Sequence, residues 1–170
     1  MNEILSPIVT ALQERFGCEV QEFRGEVSLI VSPEHLVDLV QALRDDFSFE
    51  QLVDVTAVDY YPQEAPRFHV IYHIRCIRLG LVLCLRVPLD GNAPSLGTVE
   101  GVFPGANWYE REVFDMFGVT FNGHSDMRRI IMPADWQGHP LRKDFPVGYE
   151  EPQFSFNFDE IDLRKPYAKE

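Results

Sequence analysis

Apolar and polar positions change period several times along this chain, and each change predicts an element. Ile8, Val9, Leu12 and Phe16 recur at helical spacing behind Ser6-Pro7, a capping serine and a proline whose missing N–H is harmless there. Gly17 stops that helix. Strands follow at Glu19 to Phe23 and Val27 to Val31, turning at Arg24-Gly25. Ser32-Pro33 repeats the start signal, and Leu36, Val37, Leu39, Val40 and Leu43 predict a second amphipathic helix ending near Asp45-Asp46. Gln51 to Asp59 alternates loosely, whereas Phe68 to Ile77 alternates better and admits a sheet covered on both faces. Gly80 to Val87 is nearly all apolar and predicts a central strand. Pro88, Gly91, Pro94 and Gly97 then punctuate a loop. The order predicts an α+β fold over residues 1–103: a two-layer α/β domain with a mixed sheet, opening α-β-β-α-β-β-β.

Residues 104–146 change character again and predict a further helix with a basic segment packed on it. Asn107 is placed to cap this helix and Gly118 to end it. Tyr109, Val113, Met116 and Phe117 fall at i, i+4, i+7 and i+8, and Phe114 widens the apolar surface beyond one stripe. Such a helix is expected to be buried over most of its circumference. Trp108, Arg111, Glu112 and Asp115 share the narrow remaining face. Arg111 and Asp115, one turn apart, are expected to pair, which leaves Glu112 over. A buried leftover carboxylate is costly unless cations or donors meet it. Arg128, Arg129, Arg142 and Lys143 follow as candidates, folding the passage on itself or onto a partner.

The run E-R-E-V-F-D-M-F-G from Glu110 to Gly118, then His124, then R-R-I-I-M-P from Arg128 to Pro133, resembles a known signature. It is that of the 30 kDa subunit family, the C-type subunits of proton-translocating NADH–quinone oxidoreductase (respiratory complex I). G-H-P-L-R-K-D-F from Gly138 to Phe145 matches the family's next block, and Val58-Asp59-Tyr60 with Arg67-Phe68 to Tyr72 extends the likeness upstream. The resemblance implies a structural component of the peripheral arm that packs against the large D-type subunit, with the B-type and I-type subunits as neighbours. It implies no cofactor in this chain, with NADH, FMN, the iron–sulfur clusters and quinone held by partner subunits. It also implies a peripheral position on the cytoplasmic face of the bacterial inner membrane. The residues it marks are Trp108, Glu110, Arg111, Glu112, Asp115, His124, Arg128, Arg129, His139, Arg142, Lys143 and Asp144. Members fused to the D-type subunit or carrying long N-terminal extensions occur, and this sequence resembles the short, separate form.

In H-P-L-R-K-D-F, Pro140 holds His139 extended, and Arg142, Lys143 and Asp144 present a fork, a point charge and a carboxylate in a row. They suit an internal clamp on the signature helix or a contact across an interface. Residues 147–170 are expected to form an extended partner-binding tail, because Phe154, Phe156 and Phe158 alternate within an acidic stretch. The alternative for this tail is a frayed terminus.

Composition narrows the remaining chemistry. A net charge of −12 argues against nucleic acid and against direct attraction to anionic lipid. No apolar run reaches the roughly 18 residues of a membrane span, and no targeting segment is visible at the N-terminus. A cytoplasmic protein tied to a membrane only through other proteins is expected. Cys18, Cys76 and Cys84 stand apart, one thiolate short of an ordinary cluster site. Neither a P-loop nor G-x-G-x-x-G is present. His69 and His73, four residues apart on a strand, sit roughly 13 Å from one another, too far to share an ion. Against the subunit reading stands a metal-dependent hydrolase built on His124, His139 and nearby acids. The equivalent component of a related hydrogenase or ferredoxin-fed complex would share the same signature.

Overall fold

A computed structural model of the chain describes residues 3–146. Helix α1 spans Leu5–Phe16, with Leu5, Val9 and Leu12 buried one above another, and ends at Gly17, where φ is +64°. Strands β1 (Glu19–Phe23) and β2 (Glu26–Ile30) form a hairpin. Its two-residue turn, Arg24-Gly25, takes positive φ at both positions, the twist such hairpins require. A 3₁₀ turn at Pro33–His35 leads into α2 (Leu36–Phe47), which buries Leu36, Leu39, Val40 and Leu43. Strands β3 (Gln51–Asp59), β4 (Phe68–Cys76) and β5 (Leu81–Leu89) complete a five-stranded sheet in the order β1-β2-β5-β4-β3. Only β2 and β5 run parallel, so the sheet is mixed. The predicted α+β architecture and its opening element order are borne out.

Strand alternation decides the layering. Phe68, Val70, Tyr72, Ile74 and Cys76 of β4 are buried together with Leu81, Leu83, Leu85, Val87 and Leu89 of β5. They share one core with the apolar sides of α1 and α2. The alternate residues, among them His69, Ile71, His73, Val82 and Arg86, are half-buried or exposed. The sheet is thus covered on one face, not on both as its β4 pattern admitted.

The expected loop from Pro88 also differs. Strand β5 continues through Pro88 to Leu89, paired with β4. Proline is tolerated there because β2 has left the sheet by Ile30, opposite Arg86, so one flank of β5 is already bare. Ser95–Gly97 (β6) then pairs in parallel with Thr120–Asn122 (β7), and α3 (Ala106–Phe117) is the crossover between them. Three-residue strands carry too little periodicity to be read from sequence. Helix α3 packs along β3, the sheet's edge. There a register shift at Val53 frees a carbonyl, and the Tyr109 hydroxyl donates to it at 3.0 Å.

Candidate functional site

Several of the residues singled out by sequence gather at the two ends of α3. An α-helix leaves its last four carbonyls without partners, and here the segment after β7 supplies three of them and Gly118 the fourth. Asp115 O accepts from His139 Nδ1 at 3.0 Å and from Arg129 at 3.3 Å. Met116 O accepts the Leu141 backbone N–H at 3.0 Å, Phe117 O the Arg142 Nε at 2.5 Å, and Phe114 O the Gly118 N–H at 2.8 Å. The Arg142 guanidinium also lies over the Phe68 ring. Cations at a helix C-terminus are favoured by its dipole as well. Gly118 is required twice over: its φ is +73°, and a Cβ there would run into Arg142 and the His139 ring.

Asp115 is the hub of the clamp. Fully buried, its Oδ1 accepts from Arg129 at 2.5 Å, and its Oδ2 accepts three consecutive backbone N–H groups, Ile130, Ile131 and Met132, at 3.1, 2.8 and 2.8 Å. Burial alone would raise its pKa. The Met132 N–H, the Arg129 guanidinium and the N–H groups of Ile131 and Ile130 outweigh that and hold the carboxyl below its ordinary value. Arg111 does not pair with Asp115 as expected. Its Nε and Nη2 donate to the carbonyls of Arg128 and Arg129, while its guanidinium lies over the Trp108 ring. Arg128 is held by Asp126 in a two-pronged pair and is otherwise exposed.

The buried leftover carboxylate is therefore not Glu112, which is exposed, but Glu110. Its side chain is fully buried and accepts Thr98 Oγ1 at 2.5 Å and the Val99 N–H at 2.8 Å. Burial dominates and pushes its pKa up. His124 Nε2 is 3.9 Å away but donates to Asn107 O, while its Nδ1 accepts the Asp126 N–H. A ring that donates at one nitrogen and accepts at the other is neutral, so His124 and Glu110 are neighbours and not an ion pair. Asn107 does not cap α3. It lies inside the helix, whose N-cap position is Gly105, and its amide donates to Glu100 and Ser125. Glu100 in turn accepts the Ser125 hydroxyl and N–H, which with Asn107 bring its carboxyl down to about 2. Trp108, on the narrow face outside the apolar arc, is 61% exposed.

A third group joins Asp59 and Arg67 of the upstream likeness to Lys143 and Asp144 of the signature and fastens the end of the segment to the sheet. Buried Arg67 grips buried Asp59 through two 3.0 Å bonds and reaches Asp144 at 2.8 Å, while the Lys143 N–H donates to Asp59 at 2.9 Å. Opposite charges at the adjoining ends of two apolar strands were the available signal. Phe154, Phe156 and Phe158 lie outside the described residues. Among the described residues no cluster of three His, Cys, Asp or Glu side chains forms, and no helix is long and apolar enough to cross a membrane.

The clamp coincides with the stretch that this chain shares with known proteins. Residues 29–151, which include every clamp residue, match the family model described as respiratory-chain NADH dehydrogenase, 30 Kd subunit. The chain belongs to that family. A relative from Roseiflexus sp. (strain RS-1), an NADH-quinone oxidoreductase C-type subunit, is 50% identical over 151 residues, 88% of this chain and 86% of that protein. Among solved structures, a trypsin-resistant fragment of Nqo5 superposes with a TM-score of 0.63 at 28% identity, covering 72% of this chain and 98% of the fragment. A polypeptide of the membrane-bound sulfane sulfur reductase, an archaeal respiratory membrane complex, superposes with a TM-score of 0.72. It covers 99% of this chain and 97% of its own length at 23% identity, a shared fold. Within the 30 kDa family, then, the signature residues of this member are engaged chiefly with one another and with backbone.

Proposed function

We propose that this chain is a structural component of the peripheral arm of a proton-translocating NADH–quinone oxidoreductase. It lends shape and contacts to electron transfer from NADH through iron–sulfur clusters to quinone, and the redox groups reside in its partners. It packs against the D-type subunit, near those of B and I type, and is held at the cytoplasmic face of the membrane through them. The observation that carries this reading is the spending of the signature residues on structure. Asp115, Arg129, His139 and Arg142 fasten residues 129–142 to the end of α3, and Glu110 fastens its start. Groups tied in this way define a surface, whereas a catalyst keeps its acids and bases turned toward a substrate.

The hydrolase alternative requires His124 and His139 to share an ion. They are bound to the carbonyls of Asn107 and Asp115, eight residues and about 12 Å apart along α3. Metal analysis of the pure chain tests it, since a tight stoichiometric ion would favour a hydrolase. The relatives' names favour NADH and quinone over the hydrogenase or ferredoxin-fed types. Affinity purification of the tagged chain from gently solubilised membranes, with mass spectrometry of its companions, tests the main reading. Recovery with the other arm subunits is expected; recovery alone in the soluble fraction would overturn it.

A further inference from the structure

The face of the five-stranded sheet turned away from the helices presents a cation that no carboxylate among the described residues answers. Strand register places Ile30, Arg86, Ile71 and Thr56 in one row across β2, β5, β4 and β3. Arg86 therefore stands near the middle of the face with an isoleucine on either side. Its Nη2 donates to Tyr60 Oη at 2.9 Å and lies 3.4 Å from His69 Nδ1, its Nη1 reaches Gln21 Oε1 at 3.5 Å, and its buried Nε has no partner among the described residues. All three neighbours are neutral. Burial, aided by Arg86, keeps the pKa of His69 low and its ring uncharged. The carboxylate in the same row, Glu19, is two strands away, about 10 Å by strand spacing. In a chain of net charge −12, a half-buried guanidinium that meets no carboxylate among the described residues is conspicuous.

The face is open and its surroundings are mixed: isoleucines flank Arg86 within its own row, and the next row holds Gln21, Ser28, Cys84, His73 and Asp54, the last of these held by His73. Val82 and Phe23, toward the other end of the face, are 49% and 70% exposed. Five strands of five to nine residues project on the order of 500 Å², most of the ~800 Å² that each partner contributes to a standard interface.

We propose that this outer sheet face is a docking surface for another subunit of the complex, one that seats a carboxylate on Arg86 between Ile30 and Ile71. The inference rests on the chain being part of such a complex and adds which surface it uses and what chemistry it selects. A second copy is a poor occupant, because pairing the face with itself about a central twofold axis turns Arg86 toward Arg86. An acidic side chain set among aliphatic ones on a different chain matches both the charge and its flanks.

A photoreactive amino acid placed at Val82 of the full-length chain, within the membrane-assembled complex, tests this. The expected product is an adduct to another subunit, on a segment holding an Asp or Glu amid aliphatic residues. Arg86→Glu is expected to lower its yield about tenfold or more, as loss of a desolvated charge pair does. Reversing the partner's carboxylate to Arg should restore it. Arg86→Gln, which removes the charge but keeps a polar side chain, guards against misfolding and should lower the yield several-fold with the free chain's melting unchanged. An adduct to residues 147–170, an adduct to a second copy, or no adduct in a complex that contains the chain would each overturn the docking surface alone. Absence of the chain from the purified complex would overturn the subunit reading with it.

Discussion

Asp115→Asn should unfasten residues 127–146 from the rest of the molecule. In the native site one carboxylate oxygen takes three backbone N–H groups and the other takes the Arg129 guanidinium. Asparagine has one acceptor and one donor end. If its carbonyl keeps the three N–H groups, its amide faces the guanidinium, donor against donor; if it turns, three N–H groups face an N–H₂. Either arrangement leaves the side chain of Arg129, only 16% exposed, without its anion. Breaking one partner of a buried ion pair costs about 3–5 kcal/mol. Ile130 and Ile131 are partly exposed, so water can take up some of the lost backbone bonds, and about 3 kcal/mol is the better figure. For a domain of this size that lowers Tm by roughly 6–12 °C.

The pH dependence makes the test specific. Asp115 has a lowered folded pKa, so its contribution is fully present above the unfolded carboxyl value, about 3.9. It is lost as pH falls through the folded value below that. The gap in stability between wild type and Asp115→Asn should hold from pH 7 to about 5 and close progressively below about 4. Calorimetry across that range measures it, with limited proteolysis of residues 127–146 as a local probe. A Tm change under about 2 °C at pH 7, or a gap that does not narrow in acid, would refute the clamp as drawn.

Gly118→Ala should cost about 1–2 kcal/mol for its left-handed backbone and more for the collision with Arg142 and His139, and a thermal melt reads the total. Arg142→Ala should lower the melting temperature of the free chain, by about 1–3 kcal/mol in stability, since it strips Phe117 O of its donor. An unchanged melt with impaired assembly would instead place Arg142 at an interface. Glu110 titrates with the opposite sign to Asp115: its raised folded pKa means that stability declines as pH rises from its unfolded value, about 4.3, through the folded one. Glu110→Gln should therefore gain on wild type as pH increases across that interval, and chemical denaturation at pH 4 and pH 7 compares the two.

How far the sequence could be read follows from where each determinant lies. Strand β4 was legible because nine residues of alternation suffice, β5 because its run is nearly all apolar, and α1 and α2 because three apolar turns do. The buried state of Glu110 was legible in principle. At about 100° per residue it falls between Phe114 and Phe117, within the apolar arc of α3, and only the habit of assigning charges to the polar face conceals it. Asp115 is a different case. On the helix it sits among Arg111 and Glu112, on the side facing solvent, and it is buried solely because residues 129–132 fold over it. No local pattern encodes that contact. The three N–H groups that make it come from Ile130, Ile131 and Met132, and a backbone donor has no side-chain signature. The cations expected to answer the acidic face show the same limit. Arg129 does answer a carboxylate of that face, but Arg142, like Arg111 on the face itself, is spent on carbonyls, which every residue possesses and no sequence marks. A charge count predicts ion pairs, whereas this clamp is built mostly from charged side chains meeting backbone. Removing one such side chain should thus disturb a chain segment, visible as local proteolysis, more than it disturbs any oppositely charged residue.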